Sequence, residues 1–115
     1  MLSKRVMLLS VLKIYPPAGS EKNVLEVLES MKGPIAALSD CLGCSVTIEV
    51  GEEGAICYTE QWRTREALDR HLRSPLYGRV LEAMECSHTP PEIEFFEVTE
   101  VGGLELIEKV RLSRQ

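Results

Sequence analysis

Tyr58-Thr-Glu-Gln-Trp62-Arg-Thr64-Arg-Glu-Ala-Leu-Asp-Arg-His71-Leu-Arg-Ser74-Pro75-Leu-Tyr77 is the stretch on which the fold turns. Its first residues close an alternating strand pattern and hold the only tryptophan of the chain. Thr64 then supplies a helix cap, and Ala67, Leu68, His71 and Leu72 recur as the inner stripe of a short helix through about residue 72. Ser74-Pro75 restarts a helix at once, because proline is favoured at the first helical position. Leu76, Tyr77, Val80, Leu81 and Met84 form the apolar face of this second helix, which His88-Thr-Pro90-Pro91 stops.

Upstream, residues 44–50 and 55–62 read as a hairpin around Gly51-Glu-Glu-Gly54. A symmetric turn centred between Glu52 and Glu53 pairs Val46 with Thr59, Ile48 with Cys57 and Val50 with Ala55. These residues and Cys44 then share a small apolar face, expected beneath packed helices. Ser45, Thr47, Glu49, Ile56, Tyr58, Glu60 and Trp62 fall on the opposite face, a mixed surface suited to a cavity or a subunit interface.

Further out, residues 5–14 are nearly all apolar and predict a central strand covered on both faces. Pro16, Pro17 and Gly19 end it. Val24, Leu25, Val27, Leu28 and Met31 set a helix over 21–32, interrupted at Gly33-Pro34, with one further turn available over Ile35–Leu38. Residues 92–100 predict a last strand with Ile93, Phe95 and Val98 as core contacts. The order βα–ββ–αβ is the ferredoxin-like arrangement, an α+β fold with helices on one face of an antiparallel sheet. Residues 1–101 form this domain and 102–115 a C-terminal amphipathic extension. In it Leu104, Ile107 and Val110 recur at helical spacing. So short a helix is marginal alone and is expected to dock on its own domain or on a partner subunit.

Bulk properties narrow the function. A chain of 115 residues suits one core, and 44% hydrophobic with 27% charged residues is ordinary for a globular protein. A net charge of −5 argues against a nucleic-acid partner. Arginines do gather around the middle helices, but Glu66 to Arg70 and Asp69 to Arg73 are helical ion-pair spacings, so a solvated face is the preferred reading. Lys4-Arg5 before Val6–Leu12 imitates a secretory signal, yet the run stops at Lys13 and Tyr15-Pro16-Pro17 makes a poor cleavage site. The run is far too short to span a bilayer, and a cytoplasmic protein is expected.

Cys41-Leu-Gly-Cys44 has CxxC spacing but lacks a second ligand pair, and it leads into a strand pattern where a redox motif would open a helix. Cys57 and Cys86 are isolated. Reduced thiols and no metal site are expected. No serine or cysteine nucleophile is spaced with a base, and no phosphate loop or dinucleotide fingerprint occurs.

The apolar first strand, Cys41-Leu-Gly-Cys44, Glu60-Gln-Trp62, Glu66-Ala-Leu-Asp-Arg-His71-Leu and Ser74-Pro-Leu-Tyr77 together resemble the antibiotic biosynthesis monooxygenase domains, from about Val6 to Val98. The resemblance implies a homodimer whose sheets pack face to face into a barrel, with a ligand cavity between sheet and helices. By position, Trp62, Tyr58 and Tyr77 are candidates to line it and bind a substrate, with His71 or Glu60 as the base. The activity implied is cofactor-independent oxygenation of a small aromatic or quinone-like molecule. A non-catalytic module for ligand binding or oligomerisation is the alternative. Haem degradation in related proteins uses an Asn on the first strand and a His on the second later helix. Here the only Asn is Asn23 and Pro75–Glu85 holds no His, so that activity is disfavoured. Each candidate also has a plain structural role open to it: Trp62 as a packing anchor, His71 as a hydrogen-bonded core residue, Glu60 paired with a nearby arginine, and the tyrosines as core filling.

Overall fold

Alternation in the first strand organises the molecule. In β1 (Val6–Ile14), Ser10, Leu12 and Ile14 are buried, whereas Met7, Leu9 and Val11 on the other face are only half-buried. The computed structural model describes residues 5–51 and 54–113. It continues through α1 (Glu21–Ala36), β2 (Cys41–Ile48), β3 (Ile56–Trp62), α2 (Arg65–Leu72), α3 (Pro75–Glu85), β4 (Glu92–Thr99) and α4 (Leu104–Leu112). The strands lie in the order β2-β3-β1-β4, all neighbours antiparallel, which is the expected ferredoxin-like α+β architecture. β1 is central as expected, but only one of its faces is covered by helices.

The core lies between that face and the helices. Val24, Leu28, Met31 and Ile35 of α1 pack with Leu12, Ile14, Ile56 and Tyr58 of the sheet, and Tyr77, Val80 and Ala83 of α3 complete the cluster. α1 runs unbroken through Gly33-Pro34. The proline sits three residues before the cap, so the helix goes without one amide donor in its last turn, and Ile35 is buried just beyond it.

The hairpin register is the main correction. Val46 pairs with Tyr58, Ile48 with Ile56 and Ser45 with Thr59, one residue away from the symmetric pairing. Glu49 N donates to Ala55 O at 3.0 Å, so the connection runs from Val50 to Gly54, an odd count of residues. Gly51 (φ 93°) and Gly54 (φ 72°) supply the left-handed conformations it needs; Glu52 and Glu53 lie outside the described residues. A one-residue shift exchanges the faces of a strand. Cys44, Val46, Ile56, Tyr58, Glu60 and Trp62 therefore lie beneath the helices, and Ser45, Thr47, Cys57 and Thr59 on the open side. Val50, expected in the packing face, is 98% exposed. β2 also starts earlier than expected, with a bulge between Cys41 and Gly43.

At the far edge Ile93 packs on the core, whereas Phe95 is largely exposed and Val98 falls on the opposite face by parity. Leu81 is exposed as well. α4 does not dock on its own domain: it has no buried residue, and Leu104, Ile107, Val110 and Leu112 are all exposed. A radius of gyration of 16.9 Å fits such a projection, being larger than the about 13 Å of a compact chain this long.

Leu28 is wholly buried between α1 and the sheet. Leu28→Ala is expected to cost about 2–5 kcal/mol in urea unfolding, and Val50→Ala to change stability by about 0.5 kcal/mol or less.

Candidate functional site

Thr64 leaves β3 in an extended conformation and its side chain accepts from Ala67 N, starting α2 directly after Trp62. Ser74 caps α3 in the same way through Tyr77 N, and its hydroxyl donates to His71 O at 2.7 Å. These two caps hold His71 over the end of β3. Alternation along β3 places Tyr58, Glu60 and Trp62 on the face beneath it.

All five residues singled out from the sequence meet there. Glu60 is wholly buried and its carboxylate accepts three hydrogen bonds: from Tyr58 Oη at 2.6 Å, Trp62 Nε1 at 3.1 Å and His71 Nε2 at 3.1 Å. An ionised carboxylate is purely an acceptor, so three converging donors suit it, and a buried charge needs such partners. No arginine pairs with it among the described residues. The His71 ring lies 4.8 Å from that of Trp62, tilted by 32°, and meets Tyr77 edge-on at 5.2 Å. Cys44 Sγ donates to Tyr58 Oη at 3.4 Å and lengthens the chain of hydrogen bonds. In the tautomer that donates Nε2–H to Glu60, the imidazole leaves Nδ1 as its other polar atom, and Nδ1 is buried with no hydrogen-bond partner among the described residues.

The environment keeps the neighbouring hydroxyls and thiols neutral. Burial first, then the Glu60 charge, pushes Tyr58 well above the ordinary tyrosine range. The same two causes push Tyr77 up to about 12. Burial also raises the thiols of Cys41 and Cys44. All four cysteines are free, and among the described residues no cluster of side chains could hold a metal ion.

Open space near the network is limited. Tyr58, Glu60 and Tyr77 are buried and are not among the residues lining the main clefts. Trp62 and His71 do reach a cleft of about 210 Å³, bounded by Leu38 and Ser39 after α1, by Ala67 and Arg70 on α2, and by Ser74. A second cleft of about 300 Å³ lies across α2, between Leu68 and Leu72 and the Phe95–Glu97 edge of β4. Cys44 and Arg70 were not foreseen at the site. The correct hairpin register would have put Cys44 opposite Glu60. The helical spacing to Glu66 suggested a pair for Arg70 that does not form; the pair on this helix is Arg65–Asp69 at 2.7 Å.

Tyr58→Phe keeps the ring and removes one donor to a buried carboxylate, which should cost about 1.5–3 kcal/mol in chemical unfolding. Alkaline titration tests the hydroxyls. A raised folded pKa stabilises the fold fully below about pH 10, the ordinary tyrosine value. That contribution is lost as pH rises towards about 12 for Tyr77, and later for Tyr58. The last two tyrosines should therefore ionise together with loss of the circular-dichroism signal. Their ionisation in a still-folded protein would contradict the burial.

No curated protein matches the sequence. Among solved structures, the fold is similar to a proposed antibiotic biosynthesis monooxygenase from Deinococcus radiodurans, with a TM-score of 0.75 and 19% identity over 84% of this chain and 97% of that one. A proposed antibiotic biosynthesis monooxygenase from Caulobacter crescentus gives 0.73 and 20% identity over 84% and 92%. Rv0793 from Mycobacterium tuberculosis gives 0.72 and 21% over 84% and 99%. The sequence pattern of one family matches residues 7–83, which run from β1 through the caps of α2 and α3 and carry the whole Glu60 network. The chain belongs to the antibiotic biosynthesis monooxygenase family.

Proposed function

We propose that this protein is a cofactor-independent monooxygenase acting on a small aromatic or quinol-like molecule bound against Trp62 and His71. The observation that carries the reading is the His71 ring, which lines a cleft while its Nε2 bonds Glu60 and its buried Nδ1 has no hydrogen-bond partner among the described residues. A carboxylate that orients an imidazole and leaves its second nitrogen open is the arrangement of a general base. Glu60, with its oxygens already engaged by three donors, is the positioning residue, and His71 is the catalytic one.

In this scheme His71 Nδ1 takes a proton from an acidic ring hydroxyl or activated C–H. The substrate anion passes an electron to O2, recombination forms the C–O bond of a hydroperoxide, and loss of water leaves a ketone or quinone. One oxygen atom enters the product and the other leaves as water. The substrate supplies all four electrons, so the protein has only to orient, deprotonate and exclude water.

The apolar side chains left uncovered on the open face, Met7, Leu9, Val11, Phe96 and Val98, support a homodimer with sheets packed face to face. The bare apolar stripe of α4 fits an extension, residues 102–115, that reaches the partner subunit. Among the described residues no helix is long and apolar enough to cross a membrane. The cytoplasm is the proposed location.

A ligand-binding module without turnover is the second reading. It is favoured by the tight packing of Tyr58, Glu60 and Tyr77, whose contribution to stability alone accounts for their burial.

Oxygen uptake with a panel of small hydroquinones separates the two. The oxygenase reading expects His71→Ala to lower turnover about 10²–10⁴-fold, and Glu60→Gln to lower kcat with little change in KM. Saturable quenching of Trp62 fluorescence without oxygen uptake would select the binding module. Light scattering should give a mass near twice 12.9 kDa. Deletion from Gly103 onward should weaken the dimer, and an unchanged mass and stability would remove α4 from the interface.

A further inference from the structure

The cleft beside His71 has the chemistry of a particular ligand. We propose that it takes a one- or two-ring aromatic acid bearing a ring hydroxyl, with Arg70 binding the acid group and His71 Nδ1 accepting from the hydroxyl. The inference rests on the reading of His71 as the group that meets the ligand, and it adds what else that ligand must carry.

Size comes first. About 210 Å³ is available, below the roughly 300–1,000 Å³ of clefts that enclose drug-sized molecules. One or two fused rings fill this volume. The walls are apolar where rings would lie, with Leu38 and Ala67 flanking the edge of Trp62.

Charge comes second. Arg70 is the one charged residue lining the cleft, and no carboxylate faces it there. Two nearby guanidinium groups are occupied, Arg63 by Asp40 at 3.4 Å and Arg65 by Asp69 at 2.7 Å, and Arg73 does not line the cleft. Arg70 has no ion pair or hydrogen bond among the described residues. A cation in the last turn of a helix has a structural benefit from the helix dipole. That benefit accounts for its place in the sequence but does not direct it to a cleft. On a chain of net charge −5, a cleft whose only charge is positive selects anions over neutral rings.

Hydrogen bonding comes third. His71 is 3% exposed and its Nδ1 has no partner. A buried acceptor left open costs stability unless a ligand or water fills it. Arg70 and His71 are adjacent on α2 and line the same cleft, so one small molecule can meet both.

The test compares three probes by quenching of Trp62 fluorescence: hydroxynaphthoate, naphthoate lacking the hydroxyl, and naphthol lacking the acid. Hydroxynaphthoate should bind best, with loss of either group weakening it about tenfold. Arg70→Gln lies on the exposed side of α2, where the fold tolerates it. It should weaken both acids about threefold to fivefold and leave naphthol unchanged. Equal affinity for naphthol and hydroxynaphthoate, an Arg70→Gln protein that binds naphthoate as wild type does, or no binding of any probe would overturn the proposal. Oxygen uptake with hydroxynaphthoate is read separately. Arg70-dependent binding without uptake upholds this ligand class and removes the oxygenase reading.

Discussion

A buried carboxylate joins the two layers of this protein. Glu60 sits in the middle of β3 with no exposure and receives donors from its own strand, through Tyr58 and Trp62, and from α2, through His71. Removing such a charge from water is costly unless every lone pair finds a donor. Three aromatic or heteroaromatic side chains are therefore held in fixed rotamers around one point. The same bond that ties α2 to the sheet also sets which nitrogen of His71 is left open. Packing and chemistry share one interaction, and a change to any donor should affect both.

Around that point the fold distributes exposure unevenly. The helix-covered face is dense, with Leu12, Ile14, Leu28 and Ile56 almost completely buried. The other face shows a half-covered band on β1 and β4, and α4 has no buried residue. Dense packing beneath α2 is what excludes water from the Glu60 network. On one side of α2 the buried Trp62 and His71 border a cleft.

Much of this was readable from the chain. Thr64, Ser74 and Pro75 fix where α2 and α3 begin, because capping is a local property of those residues. The alternation that puts Tyr58, Glu60 and Trp62 on one face is equally local, and so is the helical stripe that carries His71. Which face of the sheet the helices cover was not local. It depended on the residues looped out between Glu49 and Ala55, and a miscount by one exchanged the two sides. Arg70 was obscured for a related reason. Spacing allows a pair with Glu66 but does not require one, and side-chain entropy at an exposed site leaves the pair unmade. The contrast between a filled network and an open cleft depends on tertiary packing, which no periodicity encodes.

Nitrogen-15 NMR of histidine-labelled protein near neutral pH reports which nitrogen of His71 carries the proton, with Glu60→Gln used to assign the signal. A proton on Nε2, with an Nδ1 resonance that moves when a hydroxyaryl acid is added, is the predicted result. An Nδ1–H tautomer, or a ring indifferent to the loss of the Glu60 charge, would contradict the claim that this carboxylate holds a base in readiness.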